Sequence, residues 1–101
     1  MRTLNFEVIG QKLTKIGDFS NIIKGSKQYL RCEFSFSGTE WMKHKIVAIF
    51  ERDGNEYPVA VLNSSCMVPD EVSNGVFFKM RLLGVKDNYR INTNKVLIEQ
   101  R

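Results

Sequence analysis

The chain has 101 residues, the common size of a single domain and too few for two hydrophobic cores. Its apolar fraction of 43% and charged fraction of 26% are those of an ordinary globular protein and argue against intrinsic disorder. The apolar run 46–50 is far shorter than the ~20 residues of a membrane span, and the N-terminus is too polar for a signal peptide. We therefore expect one small soluble domain over residues 1–101.

Apolar residues recur at every second position along most of the chain, which is the spacing of strands with one buried face. The first strand is predicted at 4–8 and a short second one around 13–16, followed by a loop through Gly25 and Ser26. The clearest alternation lies at 29–36, where the inward positions are Leu30, Cys32, Phe34 and Phe36.

Residues 46–50 are apolar on both faces, which indicates a central strand that is covered on each side or whose outer face meets a partner. Asp53-Gly54 offers the positive backbone angles of a tight turn, so 45–51 and 57–62 should pair antiparallel. Pro58 lacks a backbone donor and places the second of these strands at a sheet edge.

Pro69 followed by two acids predicts one helical turn that Gly75 ends. Alternation returns at 76–82, with the inward positions Val76, Phe78, Met80 and Leu82. Gly84 and Asp87-Asn88 provide turns, and strands at 89–91 and 95–98 complete the pattern. The prediction is an all-β fold: a single antiparallel β-sandwich, immunoglobulin-like or jelly-roll-like, of seven or eight strands and at most one short helical turn.

Candidate chemistry is sparse. His44 lies between two lysines and is expected to be exposed, and two cysteines with one histidine are too few for a zinc site. Cys32 and Cys66 are expected to be reduced, buried thiols, with a single disulfide as the alternative. Phosphate-binding, metalloprotease and serine-hydrolase motifs are missing. We therefore expect no enzyme, no cofactor, no metal and no small-molecule substrate.

The net charge of +4 comes from the first half of the chain. Residues 1–50 carry eight Lys and Arg against four Asp and Glu, whereas residues 51–101 carry seven of each. A basic excess is compatible with nucleic-acid binding. The acids between the cations and the lack of a basic–aromatic ribbon leave a nucleic-acid module as the weakest of three hypotheses.

Four segments within 28–98 carry a family resemblance. They are Tyr29 with Phe34-Ser35-Phe36, then Glu40-Trp41 with Lys45 and Ala48-Ile49-Phe50-Glu51-Arg52, then Cys66-Met67-Val68-Pro69-Asp70-Glu71-Val72, and Gly84 with Arg90-Ile91-Asn92-Thr93-Asn94. In these the chain resembles small β-sandwich domains in the tail and baseplate proteins of phages of Gram-positive bacteria. The resemblance implies a structural or adaptor protein without catalytic residues, which self-associates as a homo-oligomer or docks on a neighbouring subunit.

An alternative follows because such domains usually continue into a coiled coil or a receptor-binding portion, whereas this sequence ends at Arg101. The sandwich would then be a stand-alone phage or mobile-element inhibitor that binds a host defence complex of the CRISPR nuclease type. The positive charge disfavours simple mimicry of nucleic acid. We expect the chain in the host cytoplasm when made, and in the virion if it has the structural role.

Partner contact is expected from side chains on the outer surface. Phe77 and Leu83 fall opposite the inward set, and Trp41 would add a large rigid contact area if it does not fill the core. With the neighbouring hairpin tyrosine and lysines, the candidate partner-binding residues are Trp41, Lys43, Lys45, Tyr57, Phe77 and Leu83.

Overall fold

The computed structural model describes all 101 residues, and strands dominate it. The elements are β1 (Arg2–Ile9), β2 (Lys12–Ile16), β3 (Leu30–Ser37), β4 (Lys45–Arg52), β5 (Asn55–Val61), β6 (Ser65–Met67), α1 (Asp70–Ser73), β7 (Phe77–Lys86), β8 (Tyr89–Asn92) and β9 (Val96–Glu99). The prediction of an all-β chain with one helical turn is confirmed, although nine strands form instead of seven or eight. The helical turn is far too short for a membrane-spanning helix.

The strands form two sheets that enclose one core. Sheet A has the order β2-β1-β3-β6, and sheet B the order β5-β4-β7-β8, with β9 on the same side of β7 as β8. The inward side chains of both sheets make a single buried cluster, in which the largest fully buried residues are Phe6, Phe50 and Phe78. The predicted sandwich is therefore correct.

One pairing departs from the antiparallel prediction. β1 and β3 run parallel along their whole length, from Arg2 beside Leu30 to Ile9 beside Ser37. β2 runs back towards the starting end of β1, and the long connection 17–29 then carries the chain to the other side of β1, where β3 begins. Alternation determines which face of a strand is buried, and it carries no information about strand direction.

The hairpin of β4 and β5 forms as predicted. Asp53 and Gly54 both have positive φ angles, 53° and 78°, which is the backbone of a type I′ turn. β5 lies at the edge of sheet B, as its proline required, and β4 lies between β5 and β7 as a central strand.

The two sheets are joined at both sides. The side-chain amide of Asn94 pairs with the backbone of β2 as a neighbouring strand would. Its Oδ1 accepts from the Leu13 amide at 2.8 Å, and its Nδ2 donates to the Leu13 carbonyl at 3.0 Å. Near the C-terminus, the Arg101 amide donates to the Ile22 carbonyl at 2.8 Å. On the opposite side, a bridge between Leu62 and Ser65 connects β5 to β6.

Two local predictions about the last third of the chain are wrong. Val76 precedes β7 and is 59% exposed, because the chain is still leaving α1 at this point. Gly84 lies inside β7 and makes no turn there. The helical turn has Asn74 as its C-cap and Gly75 directly after it, as predicted.

Candidate protein-docking face

The outer face of sheet B carries a group of apolar side chains, here called the apolar patch. The strand register places Val47 between Ala60 and Leu83, and Ile49 between Pro58 and Arg81. These positions point away from the core because the inward residues of β4 and β7 are their neighbours in sequence. The apolar patch consists of Val47, Ile49, Pro58, Ala60 and Leu83.

The centre of the apolar patch is half-buried although no layer covers it. Ile49 is only 8% exposed, and Val47 and Leu83 are of intermediate exposure. The side chain of Arg81 reaches across β4 to Glu56 on β5, with 3.7 Å between its Nη2 and the carboxylate oxygen. This exposed ion pair is worth about 0–1 kcal/mol and shields part of β4 without closing the face.

The centre of the outer face of sheet A is polar and therefore differs from that of sheet B. Its central strands β1 and β3 place Asn5 beside Glu33 and Glu7 beside Ser35. Arg31 and Glu33 form an ion pair of 3.3 Å on the same face. The strands of a sheet that is packed on one face only normally alternate apolar inward and polar outward residues. The central strands of sheet A have this alternation, whereas the centre of sheet B is apolar on both faces.

A row of cations borders the apolar patch. The register places Lys45, Val85 and Arg90 side by side across β4, β7 and β8, next to the row that contains Val47 and Leu83. Lys43 and Lys86 lie close by along the chain, and all four cations are exposed and outside the ion pairs of the molecule. We call Lys43, Lys45, Lys86 and Arg90 the basic end.

Trp41 is in the core, so the expectation of a surface anchor is wrong. Its side chain is 4% exposed, its Nε1 donates to the Gly10 carbonyl at 2.8 Å, and its ring packs against Phe36. It thereby closes one end of the sandwich and supports the loop that carries Lys43. Trp41 instead fills the core, which is the alternative that the sequence left open.

Tyr57 also points inward. It lies on the same face of β5 as Val59 and Val61, and it packs against the core cluster. The alternation of β5 already contained this signal, because Pro58 and Ala60 occupy the opposite face. Tyr57 is therefore unsuited to the partner contact that was expected of it.

The other four candidate residues are accessible. Lys43 and Lys45 belong to the basic end, and Leu83 lies in the apolar patch. Phe77 is 46% exposed at the far end of β7, where a groove of about 510 Å³ is lined by Val76, Phe77, Lys79, Leu97, Glu99 and Gln100. Phe77 and the basic end are thus at opposite ends of sheet B.

The sequence reasoning missed several residues of this face. Val47, Ile49, Val85 and Arg90 were not among the candidates, although the apolar run 46–50 already indicated an outer face without a polar coat. The position of Arg90 beside Val85 depends on the pairing of β7 with β8, which the sequence pattern alone did not provide.

The two cysteines are free and buried, as expected. Cys32 and Cys66 are directly paired across β3 and β6. A hydrogen bond with Cys66, together with burial, raises the pKa of the Cys32 thiol well above its ordinary value of 9.0. A thiol in this state is a poor nucleophile, which favours a packing role.

The cations of the first half of the chain are dispersed over several elements. Lys12 and Lys15 lie on β2, and Arg31 lies on β3. The Lys15 ammonium donates to the Leu97 carbonyl at 2.8 Å, and Arg31 is paired with Glu33. Lys24 and Lys27 lie in the connection 17–29. Two of these cations, Lys15 and Arg31, thus make contacts within the chain.

His44 is half-buried and lies near Trp41, with 3.1 Å between its Nδ1 and the Met42 carbonyl oxygen. Its partial burial corrects the expectation that it is exposed. No group of three or more His, Cys, Asp or Glu side chains is close enough to hold a metal ion.

Searches of protein-family models, of curated proteins and of solved structures found no match to the chain. The function is therefore inferred from the surface itself: a sheet A whose outer face has a polar centre, a sheet B whose outer face has an apolar centre, and the basic end beside the latter.

Proposed function

We propose that the chain is a non-enzymatic protein-binding β-sandwich that docks through the outer face of sheet B. In the setting implied by the sequence resemblance, it is a component of a phage tail or baseplate and acts in assembly. The partner is then either a second copy or a neighbouring subunit. A partner from a host defence complex would instead make it an inhibitor.

One observation carries this proposal: the apolar patch lies at the centre of an open sheet face. Val47 and Leu83 are neighbours across β4 and β7, and their methyl groups point to solvent in the isolated chain. Burying apolar surface gains roughly 25 cal/mol per Å², so an open face with an apolar centre favours a protein partner. The polar outer face of sheet A offers no comparable gain.

The size of the face bounds the strength of the contact. Four strands in width and the eight residues of β4 in length give a face of roughly 19 by 26 Å, or about 500 Å². A stable specific interface buries about 800 Å² on each partner. The partner must therefore also reach a neighbouring surface, for which the basic end is available.

Affinity capture with matched variants tests this proposal. The immobilised baits are the wild type, Leu83→Asp, Ala60→Glu and, as a control, Ile9→Asp, which places the same charge on a 54% exposed residue of sheet A. Ala60 is exposed at the edge strand, so its variant should keep the fold. Light scattering of the purified chains measures self-association in parallel.

We expect a protein, or a second copy, that binds the wild type and Ile9→Asp and is lost with both variants of sheet B. Its identity then separates the hypotheses, since a tail protein supports assembly and a nuclease subunit supports inhibition. Equal capture by all four baits, with no self-association affected by the variants, would contradict the proposal.

A further inference from the structure

We propose that the partner presents carboxylates to the basic end and aliphatic side chains to the apolar patch, so that its docking segment is acidic as well as apolar. This inference rests on the proposed function and specifies the chemistry of the partner and its orientation on the face. The register of three strands and the distribution of ion pairs carry it.

The register fixes where the carboxylates would lie. Lys45 and Arg90 flank Val85 in one cross-strand row, so their Cα atoms are about 10 Å apart at the usual strand spacing. The row with Val47 and Leu83 is two residues further along the strands, about 7 Å away. A partner that covers both rows meets cations on one side and methyl groups on the other.

The cations of the basic end have no partner within the chain. The four ion pairs of the molecule use Arg31, Arg52, Arg81 and Lys95, and none of them involves Lys43, Lys45, Lys86 or Arg90. Asp87, in the turn between β7 and β8, is the one acid within that hairpin end. A partner that covers these cations must therefore supply carboxylates, and long-range attraction of that kind raises the association rate and fixes the orientation.

A second copy fits this requirement less well. The acids on the outer face of sheet B are at the end opposite to the basic end, and two of them are already neutralised. Glu51 Oε1 accepts from Lys95 at 2.6 Å, and Glu56 is paired with Arg81. Two faces brought together would therefore oppose the basic end with a nearly neutral surface.

Nucleic acid fits less well for a different reason. Phosphates would meet Lys45 and Arg90, but the same ligand would then cover the methyl groups of Val47 and Leu83 with a charged backbone. Nucleic-acid interfaces are more polar and more strongly basic than this face. The contiguity of a basic row with an apolar row favours an acidic protein segment.

Selection from a library of random displayed peptides tests this inference with a defined probe. The wild-type chain is the target, and enriched peptides are measured against three variants. Lys45→Glu with Arg90→Glu reverses the outward cations of the basic end, Lys12→Glu with Lys24→Glu makes the same change at exposed sites elsewhere, and Leu83→Asp disrupts the apolar patch. Thermal melts verify that each variant is folded.

We expect enriched peptides that combine Asp or Glu with aliphatic residues. Their affinity should fall about tenfold or more with Lys45→Glu and Arg90→Glu, the loss of a close charge contact, and stay the same with the Lys12 and Lys24 control. Enrichment of peptides without acids, insensitivity to the basic-end variant, or no enrichment at all would overturn the inference.

The Leu83→Asp variant separates this inference from the proposed function. Peptides that lose binding with Leu83→Asp and keep it with the basic-end variant leave the docking face in place and refute the acidic partner. Peptides that respond to neither variant contradict both. A labelled DNA duplex is titrated in parallel, and binding that depends on Lys45 and Arg90 would assign the basic end to nucleic acid and refute the inference.

Discussion

Two residues in close contact, Trp41 and Gly84, close the sandwich near the basic end. A Cβ added at Gly84 would lie 2.8 Å from Cζ3 of Trp41 and 3.1 Å from Cγ2 of Ile91. Glycine is therefore needed in the middle of β7 because the indole lies directly on the backbone. The sequence offered Gly84 as a turn residue, since glycine inside a strand and glycine in a turn look alike in one dimension.

We expect Gly84→Ala to destabilise the chain by about 1–3 kcal/mol through overpacking against the indole ring, measured by urea unfolding. Trp41→Phe removes the outer ring, so the cost of Gly84→Ala should shrink in that background. Equal costs in both backgrounds would show that the ring contact is not the cause.

Glu51 and Lys95 provide a test of pH dependence. The Lys95 ammonium, 2.6 Å from Oε1, lowers the pKa of Glu51 below its ordinary value of 4.5, and Lys79 and Arg81 add to the effect. The pKa is lower in the folded state, so the contribution to stability is present above 4.5 and is lost as the pH falls through the folded-state pKa.

On acidification from neutral pH to below 4.5, the melting temperature of Lys95→Met should therefore fall by less than that of the wild type. Lys86→Met removes an unpaired lysine and serves as the control, because it should keep the acid-sensitive slope of the wild type. A slope that is unchanged in Lys95→Met would show that the pair does not couple to folding.

At the scale of elements, the segment between β8 and β9 joins the two sheets. The Thr93 hydroxyl accepts from the Leu82 amide at 2.9 Å, and Asn94 makes its two hydrogen bonds with Leu13 on β2. The motif Arg90-Ile91-Asn92-Thr93-Asn94, which carried part of the sequence resemblance, is thus used for hydrogen bonding within the fold. It says more about the sandwich than about its partner.

Asn94→Ala should destabilise the chain by about 1–3 kcal/mol, because it leaves the backbone groups of the buried Leu13 without partners. Asn94→Asp keeps the acceptor for the Leu13 amide but sets a carboxylate oxygen against the Leu13 carbonyl oxygen, so it should destabilise the chain as well. Asn5→Ala, at an exposed position on β1, is the control and should have little effect in the same urea titration.

The sequence predicted most strands because each one alternates, and it predicted the β4–β5 hairpin because Asp53-Gly54 suits only a few turns. It could not give the parallel pairing of β1 with β3, which depends on the path of residues 17–29. It placed Leu83 and Phe77 correctly on the outside, whereas the burial of Trp41 required a loop to fold back over the end of the core. Some residues of the candidate docking face were therefore predictable as outward positions, whereas the strand pairing that brings them together was not.

The whole molecule is a sandwich with two unlike outer surfaces. The outer face of sheet A has a polar centre, and that of sheet B combines the apolar patch with the basic end. The core alone explains the inward residues of β4 and gives no reason for Val47 and Ile49 on the other side. The proposed partner on sheet B would supply that reason, because it would cover the apolar centre of this face.

Methyl cross-saturation NMR identifies the contacted face, with the labelled chain bound to its captured protein or to an unlabelled second copy. The methyl groups of Val47, Leu83 and Val85 should lose intensity on irradiation of the partner, while Ile9 and Ile16 on sheet A keep theirs. Saturation transfer to the methyl groups of sheet A, with those of sheet B unaffected, would contradict the proposed docking face.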